Sequence, residues 1–346
     1  MINLQYFEFV DSNDEENKVL ARLDDYYIEF SEMTKQECQF LNSLILRNKP
    51  VKILELGVSA GGSSVILLNA IKENEKAKLY SIDYLNHWYK DQGCKTGFVL
   101  DKYPELKTKW KLFTGALALA FLDQIGDDID FIFIDTMHVN PGEILDFLMA
   151  LPFLKENAMV VFHDTKLFTD LDETDRHSQI WFAFANTNNL LMSTVYGKKY
   201  LPVGGECTWI NLPFKKIDMN IPKVTGSKLH FPNIGGIAID KNTRSRIFEI
   251  FNLLTLQWLY LPNDDELVEI TEFFSKYYDP LLVNHFKEII FLQKKYTPWF
   301  HKNIINNNFS EHHIINKKKH NITARKIIKY LLPYGLVRLV QKYFKK

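Results

Sequence analysis

Residues 53–65 read ILELGVSAGGSSV: a short apolar run carrying an acid, Glu55, then glycines at Gly57, Gly61 and Gly62 among small residues. Strand, tight glycine turn, helix is a geometry that aims backbone N–H groups and a helix N-terminus at an anion or polar ligand. The frame here is E-x-G-x-x-x-G-x-S, set by Glu55, Gly57, Gly61 and Ser63, and not the G-x-G-x-x-G of a pyrophosphate-binding turn. An acid ahead of the turn suits a ligand that carries an ammonium group and no pyrophosphate.

Outward from this stretch, strands alternate with helices. Residues 32–48 place apolar groups at helical spacing and stop at Pro50, and 51–56 read as a buried strand. A helix is expected over 63–72, strands over 78–83 and 110–114, a helix over 116–125 and a strand over 130–135. Pro141 suits the first turn of a helix running to about Phe153, and 158–163 read as a fifth strand. This order predicts a parallel α/β sheet covered on both faces, with 190–196 and 206–212 as an antiparallel pair closing it. Residues 213–240 read as irregular, followed by three helical patterns over 242–260, 264–278 and 280–295. The organisation expected is a sheet domain over 1–212, a helical C-terminal appendage over 213–300, and a linker and tail over 301–346.

The 346 residues carry no net charge, which gives no case for a nucleic-acid partner, but the charge is unevenly spread. After Glu311 there are ten bases and no acid, which leaves residues 1–311 at −10. The three cysteines (Cys38, Cys94, Cys207) form no C-x-x-C pair, which suits a reducing compartment and argues against a thiolate metal site. No basic start followed by an apolar run opens the chain, and no run of 18 uncharged apolar residues exists, so a soluble cytoplasmic protein is expected.

With these motifs in order, the sequence over about 50–212 resembles the class I S-adenosylmethionine-dependent methyltransferases, with their Rossmann-like sheet. The resemblance implies that Glu55, Gly57, Ser59, Gly61 and Ser63 hold the methionine part of S-adenosyl-L-methionine. It implies that Asp83, ending the second strand, binds the ribose hydroxyls, that Tyr84 lies against the adenine, and that Gly115 and Ala116 meet its edge. A side chain at Gly57 is then expected to block the ligand and leave the fold largely intact. Asp83 as a helix N-cap and Tyr84 as a core residue are the plainer readings.

The stretch FIFIDTMHVNPGEILDFLMALPFLKENAMVVFHDT (131–165) brings Asp135, His138, His163 and Asp164 to the ends of two strands, where open parallel sheets bind ligands. It resembles the small-molecule and sugar O-methyltransferase branch of the class. Methyl transfer to a hydroxyl needs alignment and removal of a proton, and His138 is the first candidate base. Asp135 is expected to touch the cofactor, and His163 and Asp164 to share in catalysis. In metal-dependent relatives such positions hold Mg²⁺, here Asp135, His163 and Asp164, although the histidine departs from an all-oxygen shell. His163 as a second base or as a partner of Asp135 is the alternative, and simple capping is the plain reading for the aspartates. Asp172, Glu173, Arg176 and His177 read more readily as an exposed helix turn than as an acceptor-binding wall.

Residues 322–346 (ITARKIIKYLLPYGLVRLVQKYFKK) alternate bases with large apolar groups, which fits either an anionic membrane surface or a helix docked on protein. This tail and 232–262 resemble segments of bacterial capsule and lipopolysaccharide enzymes. The resemblance implies a sugar hydroxyl, on a nucleotide sugar or a polysaccharide precursor, as acceptor. Two other readings stay open: the same fold methylating a phosphate-type oxygen or doing hydroxylase-like chemistry, and a non-catalytic scaffold of a biosynthetic complex.

Overall fold

A computed structural model describes residues 7–10, 12–138, 140–165, 190–193 and 234–300. Strands β1 (Phe7–Val10), β2 (Lys52–Leu56), β3 (Lys78–Asp83), β6 (Trp110–Thr114), β7 (Ile129–Ile134), β8 (Leu154–His163), β9 (Leu190–Ser193) and β10 (Ile234–Ile239) form one sheet. A separate hairpin joins β4 (His87–Trp88) to β5 (Asp91–Lys95). The sheet order is β1-β9-β10-β8-β7-β2-β3-β6. From β8 to β6 every pairing is parallel, whereas β10 runs antiparallel to both β8 and β9, and β1 pairs parallel with β9. The direction of winding reverses between β2 and β7, so the crevice where open α/β sheets take ligands lies at their carboxyl ends.

Alternation along the strands sorts the core into two layers. Ile53, Phe131, Phe133, Met159 and Val161 face a cluster built with α1 (Asp14–Leu20), α2 (Tyr26–Ser31), α3 (Lys35–Asn48) and α4 (Gly62–Ala70). Leu54, Leu56, Ile132, Ile134, Val160 and Phe162 face the other, with α5 (Leu119–Ile125) and α6 (Gly142–Ala150). Helix α3 starts on a capping box in which Thr34 and Glu37 satisfy each other's backbone N–H. Residues 62–69 of α4 are all buried, as expected of a helix that is small or apolar on every side.

The C-terminal helices are α7 (Lys241–Arg244), α8 (Ile247–Leu253), α9 (Asp264–Tyr277) and α10 (Pro280–Phe300). Their apolar residues Phe251, Phe274 and Phe286, with Trp258 of the loop between α8 and α9, are fully buried in the same cluster as the second sheet face. The appendage therefore shares the core of the sheet.

Local expectations need three corrections. The antiparallel neighbour of β8 is 234–239, inside the stretch read as irregular, while 206–212 lies outside the described residues. The single helix expected over 242–260 is two short ones, α7 and α8. Pro141 caps α6 instead of lying in its first turn, and that helix gives way to a 3₁₀ turn over Leu151–Phe153. The tail, and Asp172, Glu173, Arg176 and His177, also lie outside the described residues. Among the described residues no helix is long and apolar enough to cross a membrane.

Candidate active site

The turn after β2 is held by its neighbours' backbones. Gly57 N–H donates to Ile82 O (2.9 Å) and Asp135 N–H to Leu56 O (2.9 Å), so the ends of β2, β3 and β7 lock together. Gly57 (φ +85°) and Gly61 (φ +97°) adopt left-handed backbone, which glycine alone takes at low cost. Ser59 takes it too (φ +52°), and Gly61 caps the N-terminus of α4. The Asp83 carboxylate clamps this turn. Its Oδ2 accepts from the N–H groups of Val58 (2.9 Å) and Ser59 (2.8 Å), and its Oδ1 from Leu85 N–H (2.8 Å). A carboxylate has about four lone-pair sites, so capacity for a further donor remains.

Glu55 lies on the α4 side of β2 and is 0 % exposed. Ser63 donates to its Oε1 (2.6 Å), and Ser64 and Ser81 to its Oε2 (2.6 Å each). Burial pushes this carboxyl up to about 7, the three hydroxyls opposing the rise and the charge of Asp135 adding to it. Both oxygens of Glu55, the acid expected to pair with a ligand ammonium, accept from these hydroxyls, and the acid ties the start of α4 to β2 and β3. Ser63 serves the same tie.

On the far side of Asp83, Tyr84 is 56 % exposed, not a core residue, and its hydroxyl donates to Glu266 Oε1 (3.0 Å). Gly115 N–H donates to Asp83 O (3.1 Å), and among the described residues no atom lies within 4 Å of the position a β-carbon would take there. Open space thus adjoins Asp83, with Ala116 half-buried next in the chain.

The residues after β7 and β8 do converge. Among the described residues, Asp135, His138 and Asp164 each offer one ligand atom, all within 4.8 Å of one another. His138 Nε2 lies 3.0 Å from Asp164 Oδ2 and 3.4 Å from Asp135 Oδ1. Burial would push the His138 imidazole down, but the hydrogen bond to Asp164 and the charges of Asp135, Asp164 and Glu143 outweigh it and hold it up at about 9. These neighbours favour the imidazolium form of His138, the residue expected to act as base.

His163 ends β8 on the side facing α3, and only 3 % of its side chain is exposed. Its Nδ1 lies 3.2 Å from Asp135 Oδ1, and its Nε2 4.0 Å from Glu37 Oε2. Burial opposes its charge, yet the acids around it, Asp135 first, hold it well above the ordinary histidine value. His163, expected to share in catalysis, is thus buried among Asp135, Glu37 and Asp164, whose Oδ1 lies 3.7 Å from its Nδ1. The third residue of the metal-type group is His138, and His163 orients Asp135 from behind.

Residues 54–165 match the family model for a methyltransferase domain. The match covers 112 of the 346 residues. No curated protein matches the chain. Among solved structures, the O-methyltransferase TomG from Streptomyces achromogenes is similar at 20 % identity and a TM-score of 0.35, over 48 % of this chain and 73 % of that one. An O-methyltransferase from Bacillus cereus is similar at 19 % identity and a TM-score of 0.34, over 48 % and 73 %. The methyltransferase PaMTH1 from Podospora anserina is similar at 16 % identity and a TM-score of 0.36, over 50 % and 79 %.

Several residues at the rim of the sheet escape a reading by motif. Thr34-x-x-Glu37 is a recognisable capping box, but nothing local says that Glu37 reaches His163. Asp146 of α6 is pushed up to about 6 by burial, with Thr136 opposing and Asp83 adding to the rise. Tyr260, between α8 and α9, is also pushed up by burial, and the charges of Asp146 and Glu266 add to it. No sequence signal marks Tyr260, and Asn263-x-x-Glu266 reads only as a capping box, since their relevance comes from where the appendage docks.

Proposed function

We propose that this chain is an S-adenosylmethionine-dependent O-methyltransferase whose acceptor is a sugar hydroxyl, on a nucleotide sugar or a polysaccharide precursor. The observation that carries the transfer reading is the juxtaposition of two devices at one switch point. A left-handed glycine turn clamped by Asp83 stands beside the Asp135–His138–Asp164 group, within a methyltransferase domain. The turn suits a cofactor lying across the ends of β2 and β3, its ribose on the spare acceptor capacity of Asp83. The acid–histidine group then faces the acceptor. The sugar rests on the likeness of the C-terminal segments to capsule and lipopolysaccharide enzymes.

In the transfer, the acceptor oxygen would attack the methyl carbon, an O–CH₃ bond forming as S–CH₃ breaks, with the electron pair left on sulfur as the neutral thioether and the hydroxyl proton passing to a base. The turn and Asp83 orient the donor, so that much of the barrier falls through alignment. A proton already on His138 Nε2 is shared with Asp164 and Asp135, so in the protein alone a carboxylate oxygen is the better placed acceptor.

Two carboxylates and one imidazole form a donor set suited to a divalent cation, and the nitrogen favours a transition metal or Mn²⁺ over Mg²⁺. Asp135, His138 and Asp164 would hold the cation. It would supply Lewis-acid polarisation that lowers the proton affinity of a bound hydroxyl. Binding would also require His138 to lose its proton.

A panel of nucleotide sugars incubated with the protein and S-adenosylmethionine, with products read by mass, tests the reading. A gain of one methyl group on a sugar supports it. Cofactor binding with no methylated product across the panel would overturn the acceptor assignment.

A further inference from the structure

The tie between Tyr84 and Glu266 spans 182 residues and joins the strand end that carries Asp83 to the first turn of α9 in the appendage. We propose that Glu266 is a positioning residue for the cofactor, presenting the exposed ring of Tyr84 as a stacking face for the adenine, so that the appendage forms part of the cofactor site. The inference rests on the cofactor reading above and deepens it.

Three observations support it. First, an aromatic ring with more than half its surface exposed is normally free to sample rotamers, whereas this one is held at its hydroxyl by an acceptor on another element. A face that is both open and fixed loses little entropy when a flat ligand settles on it. Second, the acceptor is itself anchored. Glu266 Oε2 accepts from Asn263 N–H (2.9 Å) in the capping box of α9, while Oε1 takes the Tyr84 hydroxyl. One carboxylate thus joins the helix start to the ring. Third, the appendage is seated on the same rim at neighbouring points. Leu259 N–H donates to Asn140 O (2.9 Å), and the Tyr260 hydroxyl stands 3.0 Å from where a β-carbon on Gly142 would lie. These contacts tie the segment leading into α9 to the loop between β7 and α6 and to the start of α6.

The plain alternative is a surface hydrogen bond that only helps α9 dock. The two differ in what the cofactor feels. Calorimetric titration of the full chain with S-adenosylhomocysteine, for Tyr84→Phe, Glu266→Ala and the double variant, separates them. Tyr84→Phe keeps the ring and the capping box and removes only the tie. Each single variant should weaken binding about fivefold, the scale of one hydrogen bond, and the double variant should be no weaker than the worse single one. Tyr84→Ala, which removes the stacking face as well, should lose more than Tyr84→Phe. Glu266→Ala also removes a cap and lowers melting temperature, but a cap alone would not make its binding effect vanish in the Tyr84→Phe background. Unchanged affinity in Tyr84→Phe, or additive losses in the double variant, would overturn the proposal. Asp83→Ala serves as the control for the underlying reading. If it too binds normally, the cofactor does not lie there at all; if it alone fails, the site stands and the appendage has no part in it.

Discussion

A β-carbon placed on Gly57 would fall 1.9 Å from the carbonyl oxygen of Asp135. The residue that opens the glycine turn and the residue that begins the acid–histidine group are thus in backbone contact. The two halves of the site meet there, and the glycine is needed for the packing of β2 against β7.

Gly57→Ala should therefore damage the fold as well as the site, in contrast to the expectation that only a ligand would be blocked. Left-handed backbone and a clash with a main-chain atom should together cost about 3 kcal/mol. Urea denaturation measures this, and a loss below about 0.5 kcal/mol would show that the strand ends part easily.

Asp83→Ala removes the acceptor for three backbone N–H groups and the spare capacity for a ribose. Cofactor affinity should fall at least tenfold, with a lower melting temperature because the turn loses its clamp. Calorimetry and thermal melting on the same samples check both. Asp83→Asn, which keeps one acceptor oxygen, should fall between.

The group at Asp135, His138 and Asp164 should bind Mn²⁺ more tightly than Mg²⁺. Asp135→Asn, Asp164→Asn and His138→Ala should each weaken Mn²⁺ binding by about ten- to a hundredfold, and His163→Asn should weaken it less. Titration calorimetry in chelator-treated buffer decides it. Equal Mn²⁺ affinity in all four variants would remove the group as a cation site.

Glu55 makes stability depend on pH in a definite direction. Its folded-state value of about 7 lies above the ordinary carboxyl value of 4.5, so the folded protein holds this proton more firmly than the unfolded chain. Its contribution is fully present below about 4.5 and is lost as pH rises toward 7. Glu55→Gln cannot ionise. The stability of the parent relative to this variant should therefore decline across that window and level off above it. Melting curves of both proteins from pH 4.5 to 8 would show this, and a constant difference would mean that the enclosed carboxyl keeps an ordinary value.

Trp258→Ala should cost about 3–5 kcal/mol, since the indole is 0 % exposed and belongs to the core shared by the sheet and the appendage. A single cooperative transition, shifted down as a whole, would show that α8 to α10 unfold with the sheet. A separate early transition would show the appendage to be an independent unit.

The sequence by itself determined the local devices. The E-x-G-x-x-x-G-x-S frame, the acid ending β3 and the acid and histidine after β7 follow from strand alternation, turn chemistry and the order of elements. All of these act over a few residues. Alternation also put Glu55 and His163 on the face they occupy, because a strand's period of two leaves no choice. Only the tertiary structure decided which groups meet. Glu55 became an enclosed tie because Ser81 of β3 closes over it. His163 came to lie between Asp135 and Glu37 of α3, behind the group that His138 forms with Asp135 and Asp164. Glu266 came to hold Tyr84 because a buried face on the appendage chose where α9 sits. Partners far apart in the chain are set by which apolar faces bury each other, and no local pattern records that outcome.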